Sequence, residues 1–141
     1  MGQAEVLVIE DNPADRFWLE YLLKLLGKDV ALSFVTDGEQ AVSFLLKRGE
    51  YCHAPTPDVI FLDVHLPTLD GIEVLRQLPN ARELPICVLT SSEGEREMFE
   101  TEFGIARSDY LIKPASQAGI AASPQCRAHL LPHSQRFDAA L

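Results

Sequence analysis

Short runs of apolar residues alternate along the chain with longer stretches in which apolar positions recur every three or four residues. The runs have the length of β-strands and lie at about residues 5–9, 30–35, 59–62, 86–89 and 110–112. The first and third runs are apolar at nearly every position, which is typical of strands covered by helices on both faces. The pattern predicts an α/β fold around a parallel sheet.

Helical patterns separate these runs, at about residues 13–26, 38–47, 72–78 and 93–103. The first helix is unusually apolar, with its charged residues confined to one narrow face. We place Trp18, Leu19, Leu22, Leu25 and Leu26 opposite that face and Phe17, Tyr21 and Leu23 on the flanks. The flanks either pack on the sheet or form part of a surface for a partner protein.

The end of the chain departs from this pattern. Residues 117–141 carry few charges, and Pro124 and Pro132 enclose a candidate helix over only residues 125–131. Because proline is strongly disfavoured inside helices, a long closing helix is not expected. We therefore predict one domain over residues 1–116 and an atypical closing helix or partly disordered tail over residues 117–141.

Composition narrows the classes of partner. The chain has 141 residues with a net charge of −9, which disfavours nucleic-acid binding. The apolar runs are far shorter than the roughly 20 residues of a membrane span. The three cysteines form no Cys-x-x-Cys pair, which favours reduced thiols and the cytoplasm. We expect a cytoplasmic protein that binds neither nucleic acid nor membrane.

Polar side chains stand where the predicted strands end. Glu10 and Asp11 follow the first strand, Asp63 the third, Thr90 the fourth and Lys113 the fifth. Because ligands of parallel α/β sheets bind beyond the carboxyl ends of the strands, these groups should share one site. Carboxylates about 4 Å apart repel each other by roughly 4 kcal/mol at a dielectric of 20, and Mg²⁺ would relieve that repulsion.

A carboxylate in such a site can also act as a nucleophile toward phosphorus and form an acyl phosphate. Asp63 is the best candidate because it ends the central apolar strand. Lys113 and the Thr90 hydroxyl would then contact phosphate oxygens. The backbone carbonyl of His65 is a further possible ligand for the cation.

Four segments carry a family resemblance: VLVIEDN (6–12), PDVIFLDVHLP (57–67), VLTSS (88–92) and DYLIKP (109–114). Together they resemble the receiver domain of two-component response regulators over about residues 4–116. The resemblance implies a flavodoxin-like, doubly wound, five-stranded parallel sheet in the order 2-1-3-4-5. Residues 12–16 more weakly resemble the small single-domain regulators associated with phytochrome-type kinases.

The resemblance also implies roles for individual residues. Asp63 would be the phosphoacceptor, assisted by Thr90 and Lys113. The Mg²⁺ ion would be held by Glu10, Asp11, Asp63 and the backbone carbonyl of His65.

Two further roles follow from the same resemblance. Thr90 and Tyr110 would form the switch pair, the ring of Tyr110 turning inward when Thr90 moves toward the phosphate. His65 and Ser92, each two residues past a site residue, would flank the attacking water and tune dephosphorylation.

The implied function is that of a single-domain response regulator without a catalytic domain. It would take its phosphoryl group from a histidine kinase or histidine phosphotransfer protein and signal to an unknown protein target, either as a monomer or as a homodimer. A phosphorylation-independent scaffold is the alternative, less expected because all five chemical positions are intact. A phosphatase of the haloacid dehalogenase type would need a second acid at position 65, where this chain has His65.

Overall fold

A five-stranded parallel sheet forms the centre of the protein, which we describe from a computed structural model over residues 3–131. The strands lie in the order β2-β1-β3-β4-β5, so the predicted fold and strand order are confirmed. Their bounds are Ala4–Ile9 (β1), Val30–Val35 (β2), Val59–Leu62 (β3), Ile86–Thr90 (β4) and Tyr110–Ile112 (β5).

Six helices cover the two faces of the sheet, and none in the described part of the chain is long and apolar enough to cross a membrane. The side chains of Asn12, Asp37 and Asp70 accept backbone N–H groups at the starts of the first three helices, as N-caps do. The helices are Pro13–Leu25 (α1), Gly38–Leu45 (α2), Gly71–Arg76 (α3), Arg96–Phe103 (α4), Gln117–Ala122 (α5) and Pro124–His129 (α6).

Each central strand places side chains in two apolar layers, one on each face of the sheet. Leu7 and Ile9 of β1 point into the layer beneath α2, α3 and α4, whereas Val6 and Val8 point into the layer beneath α1, α5 and α6. Because successive side chains of a strand face opposite sides, covering both faces requires apolar residues at every position. This double burial explains the unbroken apolar runs that predicted the strands.

The first helix packs through a narrower face than its sequence predicts. Leu22 and Leu23 are buried, but Trp18 and Leu25, which we placed toward the sheet, are 41% and 50% exposed. Leu23, placed on a flank, is fully buried. The helix is therefore rotated from the predicted orientation, and an apolar stripe is left in solvent, formed by Phe17, Tyr21 and Leu25 at four-residue spacing.

The closing segment, residues 115–131, contains two short helices instead of one long one. The helix predicted over residues 125–131 is observed at Pro124–His129, because Pro124 occupies its first position, where a missing N–H costs nothing. Ser123 caps that helix through its side chain. Ile120, Cys126 and Leu130 are fully buried against the sheet. Residues 132–141 of the predicted tail lie outside the described residues.

Candidate functional site

Three carboxylates meet where β1 and β3 end. Ile9 and Leu62 are partners across these two strands, so the residues that follow them leave the sheet side by side. Carboxylate oxygens of Glu10, Asp11 and Asp63 all lie within 4.8 Å of one another. Glu10 and Asp63 are buried, whereas Asp11 is exposed. The structure thus brings together the three side chains that the strand ends predicted.

Lys113 enters the same site from the end of β5. Its Nζ lies 2.6 Å from Glu10 Oε1, 2.9 Å from Asp15 Oδ2 and 3.4 Å from Asp63 Oδ2. Sequence reasoning did not assign Asp15 to this site. The available signal was its position in the first turn of the helix that begins two residues after Asp11.

The pKa values of Glu10 and Lys113 in this site differ from their ordinary values. Burial raises the pKa of Glu10 to about 7, although hydrogen bonds from Lys113 and the backbone of Asn12 act in the opposite direction. Burial by itself lowers the pKa of Lys113, but its hydrogen bonds to Glu10 and Asp15 raise that pKa above its ordinary value. Burial therefore disfavours the ionised form of Glu10 in this site.

The donor set fits a hard divalent cation. Carboxylate oxygens suit Mg²⁺ and Mn²⁺, whereas Zn²⁺ and copper favour nitrogen or sulfur ligands. One cation could engage all three acids because their oxygens already lie close together. The chemistry of these residues therefore agrees with the Mg²⁺ site that the sequence predicts.

The loop after β3 folds back tightly over Asp63. The Asp63 Oδ1 atom accepts a hydrogen bond from the backbone N–H of His65 at 3.3 Å, and the N–H of Gly71 donates to the carbonyl of Val64 at 2.7 Å. A Cβ atom at Gly71 would lie 2.8 Å from the carbonyl oxygen of Asp63, which is closer than real Cβ atoms approach. Only glycine at position 71 allows α3 to begin this close to the site.

Thr90 and Tyr110 are connected through Ser92. Thr90 is fully buried at the end of β4, and its Oγ1 accepts the backbone N–H of Ser92 at 3.4 Å. Tyr110 is buried, and its hydroxyl donates to the carbonyl oxygen of Ser92 at 2.7 Å. Burial raises the pKa of the Tyr110 phenol. The sequence did not predict that Ser92 joins the two residues.

The aromatic ring of Tyr110 is held from two sides. Its centroid lies 5.8 Å from that of Phe99, and the Arg96 guanidinium lies 5.5 Å from the Tyr110 centroid, within the range of a cation–π contact. Tyr110 thus contacts α4 as well as the loop after β4. A movement of this ring would reach both elements.

His65 lies at the rim of the site with its imidazole in solvent. Its side chain is 61% exposed, and Nε2 lies 3.8 Å from Glu95 Oε1, which belongs to the loop before α4. His65 and Glu95 connect the loops that follow β3 and β4.

Comparison with known families decides which class of protein this site belongs to. A family model described as the response regulator receiver domain matches residues 6–123. The chain belongs to the response regulator receiver family. The receiver match begins within β1 and extends one residue past the end of α5.

Individual receivers show the same relationship. Response regulator Rcp1 of Synechocystis sp. is 38% identical over 96 residues, which are 66% of this chain and 65% of that protein. The match thus covers just under two thirds of the relative's length. The solved structure of the bacteriophytochrome response regulator AtBRR has a TM-score of 0.79 at 27% identity, covering 94% of this chain and 97% of that chain.

A metal-bound receiver is also similar. The Mn²⁺-bound form of Rcp1 has a TM-score of 0.69 at 34% identity, covering 82% of this chain and 84% of that chain. The likeness to AtBRR, a bacteriophytochrome response regulator, bears out the predicted resemblance to receivers associated with phytochromes.

Proposed function

We propose that this receiver accepts a phosphoryl group on Asp63 from a histidine kinase or histidine phosphotransfer protein. One observation carries the proposal: the Asp63 carboxylate, at the end of the central strand, lies within 4.8 Å of two other acids and 3.4 Å from the Lys113 ammonium. The site therefore combines a nucleophile, Asp63, with the positive charge of Lys113, and solvent reaches it past the exposed Asp11. An intact site gives no support to the alternative of a phosphorylation-independent scaffold.

The transfer step follows from the chemistry of the carboxylate. An oxygen of Asp63 would attack the phosphorus of a phosphohistidine, the P–N bond would break, and the imidazole would leave with its electron pair. The product is an acyl phosphate on Asp63. Lys113 would pair with one phosphoryl oxygen, and the hydroxyl of Thr90 would donate to another.

Mg²⁺ is the proposed cofactor of this transfer. Glu10, Asp11 and Asp63, with the backbone carbonyl of His65, would hold the ion. Bound Mg²⁺ neutralises the charge that develops on phosphoryl oxygens during transfer. The close approach of the three carboxylates and the Mn²⁺ bound by the related Rcp1 support this assignment.

Signalling would begin at Thr90. If its hydroxyl turns toward the phosphoryl group, the backbone of Ser92 that Thr90 contacts can move with it, and the Tyr110 hydroxyl bound to Ser92 would follow. The change would thus reach α4 and β5. His65 and Ser92 would set the lifetime of the phosphorylated state by flanking the attacking water.

We further propose that this receiver acts in the cytoplasm and binds neither nucleic acid nor membrane. The net charge of −9 and three unpaired cysteines support this assignment. The exposed stripe of Phe17, Tyr21 and Leu25 offers an apolar surface beside the site for the protein phosphodonor. The downstream target is a protein, and the chain acts as a monomer or a homodimer.

Intact-mass measurement after incubation with acetyl phosphate tests the proposal. Wild type should gain one phosphoryl group when Mg²⁺ is present and none when it is removed by a chelator. Asp63→Ala should gain none. Asp58→Asn is the matched control because Asp58 lies at the opposite end of β3, where its carboxylate accepts the backbone N–H of Glu5. Equal modification of wild type and Asp63→Ala would refute the assignment.

A further inference from the structure

We infer that Asp15 is a positioning residue for Lys113, holding its ammonium so that Glu10 and Asp63 are free to bind a divalent cation. This inference rests on the proposed Mg²⁺-dependent function and adds a residue to it. Asp15 comes from the first turn of α1, whereas the three clustered acids follow strands.

The distances show the competition that makes such a residue necessary. Lys113 Nζ lies 2.6 Å from Glu10 and 3.4 Å from Asp63, so it occupies two of the three carboxylates of the proposed cation site. An ammonium and a divalent cation repel each other, so Lys113 competes with the cation for these oxygens. Cation binding is therefore favoured when Lys113 moves away from them.

Asp15 supplies the remaining partner. Its Oδ2 lies 2.9 Å from Lys113 Nζ, and its side chain is 32% exposed, compared with 3% for Glu10. Asp15 is not a member of the acidic cluster, so a cation bound there leaves it available. Lys113 can then give up Glu10 and Asp63 while keeping one ion pair. Without Asp15, the buried ammonium would hold these two carboxylates more firmly, because losing them would leave it without a counter-charge.

The helix that carries Asp15 is fixed to the segment that carries Lys113. The indole N–H of Trp18, almost one turn beyond Asp15, donates to the carbonyl oxygen of Ala115 at 2.7 Å. The side chain of Asn12 accepts the backbone N–H of Asp15 at 3.3 Å. These bonds keep the carboxylate of Asp15 within reach of Lys113. The neighbouring Arg16 is engaged with the carbonyls of Glu10 and Asp11.

A double-mutant cycle on metal affinity separates positioning from simple charge. Mn²⁺ binding is followed by the electron paramagnetic resonance signal of the free ion in wild type, Asp15→Asn, Lys113→Met and the double variant. Asp15→Asn should weaken binding about fivefold when Lys113 is present, the factor expected for one partly exposed ion pair. In the Lys113→Met background the same change should cost less than about twofold, since only screened, longer-range attraction is lost.

Two further variants control for structure. Asp15→Glu keeps the carboxylate and should restore most of the affinity, and Asp15→Ser should reproduce the loss if the asparagine variant folds poorly. Equal losses in both Lys113 backgrounds would show that Asp15 acts by charge alone and would overturn the inference. If wild type binds Mn²⁺ and Asp15→Asn binds it equally well, only the inference fails. If wild type binds no Mn²⁺, the proposed cation site fails together with it.

Discussion

The acidic edge of the sheet, formed by Glu10, Asp11 and Asp63, and the closing segment are stabilised in opposite ways. At the edge, the Lys113 ammonium lies within 3.4 Å of the carboxylates of Glu10, Asp15 and Asp63, and burial raises the pKa of Glu10 to about 7. In the closing segment, Ile120, Cys126 and Leu130 are fully buried in an apolar layer. The acidic edge holds charged groups where burial destabilises their charged forms, as reactive sites often do. The closing segment buries apolar side chains, which stabilises the fold.

Two polar side chains beneath the closing segment, Ser123 and Asp109, are hydrogen-bonded to each other. The Ser123 hydroxyl donates to the carboxylate of Asp109, which also accepts the backbone N–H of Gln125 at 3.2 Å. A hydrogen bond with Cys126, together with burial, raises the pKa of the Cys87 thiol, so the Cys87 sulfur belongs to the packing and not to reactive chemistry. We therefore expect substitutions in the closing segment to alter the free energy of unfolding. Substitutions at the acidic edge should instead alter the response to a bound cation.

The largest effect on stability should follow from shortening a buried side chain of the closing segment. Leu130→Ala removes a fully buried side chain and should lower the free energy of unfolding by about 2–5 kcal/mol, measured by urea denaturation. Leu25→Ala is the control, since Leu25 is 50% exposed, and it should cost less than about 1 kcal/mol. Similar losses in the two variants would contradict the division of roles.

A smaller effect should follow from Ser123→Ala. This change removes the cap of α6 and one of the donors to the buried Asp109, so about 1–3 kcal/mol of stability should be lost. Ser116→Ala removes the corresponding cap of α5 at an exposed position and should cost about 0.5–1 kcal/mol. The account fails here if the exposed cap proves to be the more important one in urea denaturation.

Stabilisation by a bound cation should depend on the acidic edge and not on the closing segment. Mg²⁺ at ten times its dissociation constant should raise the free energy of unfolding of wild type by about 1.4 kcal/mol. Asp63→Asn should lose most of this increment, because it removes one of the three clustered carboxylates. Leu130→Ala should keep the full increment despite its lower baseline. An increment that survives in Asp63→Asn would place the cation elsewhere.

The smallest effect on stability should come from the rim. His65→Ala changes a side chain that is 61% exposed, so its free energy of unfolding should stay within about 0.5 kcal/mol of wild type. The decay rate of the phosphorylated protein, followed by intact mass over time, should nonetheless change. Substitutions at His65 that leave the decay rate unaltered would remove it from the proposed set of tuning residues.

The sequence revealed the acidic edge more completely than the closing segment, for a physical reason. Glu10, Asp63 and Lys113 directly follow strands, and strand ends can be located from apolar runs alone. The bounds of β2, β3 and β5 agree with those predicted. A parallel sheet then brings its strand ends together, whatever the loops do.

Features that depend on rotation or loop geometry were not predictable in this way. The contact of Asp15 with Lys113 depends on the rotation of α1, which also left Trp18 and Leu25 in solvent. The start of α4 at Arg96 instead of Glu93 depends on the turn in which the Ser92 hydroxyl accepts the N–H of Gly94. The prolines correctly limited the length of the closing helices, but they did not show that Pro124 begins one.

The central claim is that Asp63, and not another acid of the edge, receives the phosphoryl group. Borohydride reduces an acyl phosphate to the corresponding alcohol, so a phosphorylated aspartate is converted into homoserine and marked permanently. Wild type would be treated with acetyl phosphate and Mg²⁺, reduced, digested and mapped by peptide mass spectrometry. The account predicts homoserine at position 63 alone. A reduced residue at Glu10 or Asp11, with Asp63 unchanged, would contradict it.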